Sequence, residues 1–196
     1  MVWSVPAKTL ASNVKEQPNM TTIQTVSQDH ATGEVAAVYE QIRNAWGHVP
    51  NAISLFSANP FLLKHQWEYY GSIMQHPTLS PALTACIRML VSEQGHCAYC
   101  IDMNAGMLMN MMGWSAEQVQ ATRANYLDSP LPEREKKLLG FVLKAVKDAS
   151  STSAEDVGAL RALGWSDSDI LDALNHGARM VAGDILINAF HVERDF

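Results

Sequence analysis

From Ala31 onward the apolar residues of this chain return every three or four positions, and the two-residue alternation of a half-buried strand never sets in. That period collects them on one face of a helix, so the chain must bury its apolar surface by packing helix on helix. Val35, Val38, Tyr39, Ile42 and Trp46 form the first such stripe, which Gly47 can end in a left-handed cap. Asn59-Pro60 and Ser80-Pro81 each set a capping side chain before a proline suited to the first helical turn. They predict one helix to about His76 and another carrying Leu83, Cys86, Ile87, Leu90 and Val91 on one face, with Gly95 at the place of a left-handed cap.

A further helix is expected from the cysteines at 97 and 100 through Met103, Met107 and Met111. Ser115 opens the next, with Gln118 at the capping-box position. The pattern continues in helices near 133–148, 153–163 and 166–193. Gly113-Trp114-Ser115 is echoed by Gly164-Trp165-Ser166, which suits a bundle of two related halves with the two tryptophans as packing anchors. The fold class is all-α. Residues 1–30 are polar and aperiodic and are expected to form an arm, loose or ordered only against another subunit, ahead of a single helical domain over 31–196.

With 196 residues, 47% of them apolar, the chain can build a core without staples. Its net charge of -6 and the absence of any long Lys/Arg cluster argue against nucleic acid as a partner. No apolar run reaches the roughly 18 residues of a membrane span, and the first 30 residues lack the hydrophobic centre of a signal peptide, so a cytoplasmic protein is expected.

Chemistry concentrates in Glu93-Gln94-Gly95-His96-Cys97-Ala98-Tyr99-Cys100. Two of the three cysteines stand three apart at a helix start, where they share a face and the unpaired backbone N–H groups favour thiolate over thiol. A structural zinc site would need two more ligands at similar spacing, and covalent haem would need His where Ile101 stands, so no metal and no bound cofactor is expected. A dithiol that opens and closes a disulfide fits better than two inert core thiols. Cys86 is read as a buried, inert thiol, the Met103, Met107 and Met111 stripe as flexible core or interface, and His176 and His191 as hydrogen-bonded core or interface residues.

Trp46-Gly47-His48-Val49-Pro50-Asn51, the helix after Asn59-Pro60 and the helix leading to Cys97-Ala98-Tyr99-Cys100 together resemble the alkylhydroperoxidase D and carboxymuconolactone decarboxylase superfamily, and most of all its peroxidase-related branch with a Cys-x-Tyr-Cys signature. The resemblance covers about 31–112, and 166–195 looks like the second helical half of such proteins. It implies an all-helical homo-oligomer acting as a thiol-disulfide oxidoreductase, of peroxidase type, on hydroperoxides. Cys100 would attack the peroxide, Cys97 would resolve the sulfenic acid, and an external dithiol would reduce the bridge.

The family's pattern places a His four residues after the second cysteine and a Glu about twelve before the first, where this chain has Asn104 and Ala85. Asparagine cannot take a proton near neutral pH. His96, if the helix begins one turn early, and Glu93 are the candidate replacements; Asp102 is also close. Tyr99 and Asn104 are expected to shape the substrate pocket. With the proton relay missing, weakened peroxidase activity is one outcome. A lyase acting on a small lactone, as in thiol-free relatives, and a ligand-binding or scaffold member without catalysis are the others.

Overall fold

The computed structural model describes residues 21–195. Among the described residues there are nine α-helices, a few 3₁₀ turns and no strand. They are α1 (Gly33–Trp46), α2 (Asn51–Ser54), α3 (Pro60–Met74), α4 (Pro81–Gln94), α5 (Ala98–Asn110), α6 (Ala116–Ala124), α7 (Glu133–Lys147), α8 (Ala154–Ala162) and α9 (Asp167–Ala189). The starts follow the expected local chemistry. Asn59 accepts from the N–H groups of Phe61 and Leu62, Ser80 accepts from Leu83, and Ser115 with Gln118 closes a capping box. The repeated Gly-Trp-Ser element shares its glycine conformation and its cap: Gly113 and Gly164 lie at φ +71° and +83°, and Ser115 and Ser166 both cap the following helix, while Trp114 is half-buried. Trp165 is buried, its Nε1–H donating to the Arg134 carbonyl, as an anchor should be.

The centre is α4, packed between α5, α7 and α9. The sequence places one apolar face on it, but every residue from Leu83 to Ser92 is buried, Arg88 included. A helix covered on all sides is what a central strut requires. Gly177 permits its neighbours to close on it: a Cβ there would lie 2.6 Å from Val142 Cγ1 of α7. The α1–α3 pair builds a smaller core of Val35, Val38, Tyr39, Ile42, Val49, Ile53 and Leu63 beside the main one.

Of the arm expected over 1–30, residues 1–20 lie outside the described residues. Residues 21–30 are tied to the domain: Thr22 N–H donates to the Phe190 carbonyl, Val26 N–H to Ser57 Oγ, and Tyr39 Oη–H to the Val26 carbonyl. Among the described residues no helix is long and apolar enough to cross a membrane.

Candidate active site

The link from α4 to α5 sets the site, and its geometry differs from the expected glycine cap. Gly95 has φ −85°, and the left-handed residue is His96 at φ +52°. Cys97 N–H donates to the Ser92 carbonyl and His96 N–H to Glu93, which together make a Schellman motif with His96 in the position where glycine is commonest. His191, also left-handed, ends α9 in the same way, with Val192 N–H on the Ile187 carbonyl. Gly95 is needed for another reason: a Cβ on it would lie 2.9 Å from Asp184 Oδ2. The glycine lets the α9 carboxylate approach the end of α4.

That approach completes a cluster of three buried groups. Cys97 caps α5, Cys100 lies one turn in, and their sulfurs and a carboxylate oxygen of Asp184 are all within 4.8 Å of one another. All three cysteines of the chain are free thiols. Cys97 is 0%, Cys100 4% and Asp184 2% exposed. Ser92 Oγ–H donates to Asp184 Oδ1 at 2.9 Å, while Oδ2 is sealed from solvent beside Gly95. Two soft sulfur ligands and one carboxylate fall short of the four ligands of a structural zinc site.

The two thiols titrate as a pair, with the Asp184 carboxyl beside them. The Cys100 S–H donated to Cys97 lowers the Cys97 pKa, against the opposing effect of burial. Cys100 holds its proton correspondingly tightly, through that same hydrogen bond, then burial, then the neighbouring negative groups. Burial raises the Asp184 carboxyl above the ordinary aspartate value, against the hydroxyl of Ser92 and the thiols. A carboxyl raised toward neutrality beside thiols of unequal acidity is a set in which one proton can move internally.

Cys100 opens onto a cavity of about 360 Å³ lined by α1, α2, α3, α5 and α9, by Arg88 of α4 and by the turn before α2. Tyr99 and Asn104, expected at a pocket, both line it. Tyr99 is fixed by its hydrogen bond to Asp195 and by Ala52 N–H, which donates to its oxygen at 3.2 Å. Asn104 donates to the Cys100 carbonyl at 2.8 Å and accepts from Arg88 Nε at 2.6 Å, so this residue, one turn after Cys100, anchors a buried cation. Met103, Met107 and Met111 also line the cavity, which makes the methionine stripe a wall of the pocket.

The helper residues expected from the sequence are placed elsewhere. α5 begins at Ala98, so the early start that would put His96 on the face of Cys100 does not occur, and the His96 side chain is exposed. Glu93 is ion-paired with Arg123 of α6, and Asp102 with Arg194 at 2.9 Å. Ala85 is buried in α4 and Cys86 is fully buried, its thiol pushed up to about 12 by burial. The sequence reading missed Asp184, Arg88 and His176 as site residues. Their signal was there: a carboxylate in the middle of the buried stripe Ala173, His176, Met180, Asp184, Ile187 of α9, and an arginine in the midst of an apolar helix.

No protein-family model and no curated protein matches the chain. Solved structures do. One, the alkylhydroperoxidase AhpD core described as an uncharacterized peroxidase-related protein from Ralstonia eutropha JMP134, superposes with a TM-score of 0.79 at 19% identity, covering 90% of this chain and 93% of that one. An uncharacterized peroxidase-related protein from Silicibacter sp. TM1040 gives 0.76 at 21% identity, covering 91% and 94%. The debrominase Bmp8, as a C82A variant in complex with 2,3,4-tribromopyrrole, gives 0.68 at 18% identity, covering 90% and 94%. The helices and their order thus agree with one architecture, and the chain has the alkylhydroperoxidase AhpD-like fold of the peroxidase-related proteins.

Proposed function

We propose that this protein is a thiol-disulfide oxidoreductase that reduces small hydroperoxides through Cys97 and Cys100, with Asp184 taking over the proton transfer done in the family by the absent His and Glu. The observation that carries it is the buried triad of two thiols and one carboxylate within 4.8 Å, with Cys100 facing the cavity.

Peroxide enters from the cavity and the Cys100 sulfur attacks its terminal oxygen. The O–O bond breaks, Cys100 becomes a sulfenic acid and the alkoxide leaves. The thiol proton passes through the cluster to Asp184 and, by way of cavity water, completes the alcohol. Cys97 then attacks the sulfenic sulfur, a disulfide forms and the hydroxyl departs as water with the Cys97 proton. A dithiol reductant returns both thiols. Cys100 rather than Cys97 is assigned the first attack because only Cys100 lines the cavity. Assembly with copies of itself belongs to the same proposal. Leu171, Ala178, Ala182, Ile185 and Ala189 form an exposed apolar stripe along α9 at coiled-coil spacing, which a second chain would cover.

Stopped-flow oxidation of the reduced protein by cumene hydroperoxide tests the reading. The wild type should react at least a hundredfold faster than a free thiol. Cys100→Ser should abolish the reaction, whereas Cys97→Ser should stop at a sulfenic acid that dimedone traps. A wild-type rate no faster than free thiol refutes it.

A further inference from the structure

Arg88 and Arg179 both line the cavity, and no Asp or Glu does. Arg88 is 6% exposed and forms no ion pair among the described residues. Its partners are neutral: Asn104 Oδ1, His176 Nε2 at 3.1 Å and the soft Met107 sulfur at 3.8 Å. A guanidinium carries five N–H donors, so two of them meet no acceptor among the described residues. His176, which also accepts from or donates to Tyr69 Oη at 2.9 Å, is held neutral by burial and by the Arg88 charge, its pKa pushed down to about 3. Arg179, at the exposed end, donates to Gln66 at 2.9 Å and lies 3.9 Å over the Tyr69 ring, again without a carboxylate. A thiolate at Cys100 would offset one of the two charges and leave the other.

A buried cation without a counter-ion is costly, and proteins keep one where a ligand supplies the opposite charge. Much of the remaining lining is apolar or aromatic, Trp46, Phe56, Met103, Met180 and Ile187 among it, with His48 and Gln66 as polar members. We infer that the cavity binds an organic carboxylate with an apolar or aromatic body, its head held by the Arg88 guanidinium with Arg179 at the rim. A planar two-oxygen head suits the fork of donors that Arg88 leaves open. The inference rests on the redox reading only in one respect: the natural hydroperoxide would then be that of an apolar carboxylic acid.

Binding of unreactive probes separates the two ideas. Calorimetric titration of the reduced protein with 4-isopropylbenzoate and with the neutral 4-isopropylbenzamide should give a Kd at least tenfold lower for the carboxylate at low salt. Arg88→Met and, separately, Arg179→Met should reduce that preference, the carboxylate losing at least tenfold more affinity than the amide across the two variants; Arg179→Met keeps the test open should the buried variant fail to fold. Equal affinities in the wild type, binding of neither probe, or a preference that survives both substitutions overturns the inference. A carboxylate preference in a protein that does not consume peroxide supports it and removes only the redox reading. Peroxide turnover without the preference does the reverse.

Discussion

Asp184→Asn is the substitution on which two physical roles for the carboxylate part company. If Asp184 acts only as a negative charge, its removal relieves the thiols. At the 4.8 Å limit of the cluster and an effective dielectric of about 20, that repulsion is about 3.5 kcal/mol, or roughly 2.5 pKa units. The variant would then hold more thiolate at pH 7 and would oxidise faster. If Asp184 receives the thiol proton, the variant loses its internal base, and oxidation slows by about 10²-fold or more even though thiolate forms at lower pH. Asparagine is nearly isosteric and keeps an acceptor for the Ser92 hydroxyl, so packing should survive. The assay pairs thiolate absorbance near 240 nm with stopped-flow oxidation by cumene hydroperoxide across pH. The account predicts a lower thiol pKa together with a slower reaction, whose rate climbs with pH where that of the wild type is flat. A faster reaction at pH 7 would refute the proton-acceptor role.

Two further outcomes follow from the geometry. Gly95→Ala inserts a Cβ 2.9 Å from Asp184 Oδ2, so it should displace the carboxylate and slow thiol oxidation toward the Asp184→Asn value, with a melting temperature changed by only a few degrees. His176 is neutral in the fold with its pKa near 3, whereas the unfolded imidazole takes a proton below about 6.5; its contribution is therefore complete above that pH and is lost as pH falls toward 3. The unfolding free energy from urea titrations should fall by about 2 kcal/mol between pH 7 and pH 5 on its account, and His176→Gln should remove that part of the slope.

The helices were legible because their boundaries are written in local chemistry. Asn59, Ser80 and Ser115 hydrogen-bond the first turns that follow them, and these bonds need no distant partner. Gly95 shows where local reading stops. A glycine after a helix suggests a left-handed backbone, yet here it makes room for a side chain from α9, 89 positions further along the chain. The same holds for the site. Cys97 and Cys100 declare themselves by spacing, whereas Asp184 acquires its meaning only when α9 crosses the end of α4. His96 and Glu93 were plausible by proximity in sequence, but the Schellman turn directs one to solvent and the ion pair with Arg123 takes the other. Arg88 looked like an interruption of an apolar helix, and its significance depends on a cavity whose walls come from six helices.

The central claim is that Cys97 and Cys100 exchange electrons with a peroxide as a pair. Reduced protein treated with one equivalent of hydroperoxide, quenched with an alkylating agent and mapped by peptide mass spectrometry measures this directly. The account predicts one new disulfide joining Cys97 to Cys100, a loss of two hydrogen atoms, and Cys86 still alkylatable after unfolding. Recovery of both thiols unoxidised, or oxygen added irreversibly to either sulfur without a bridge, would contradict it.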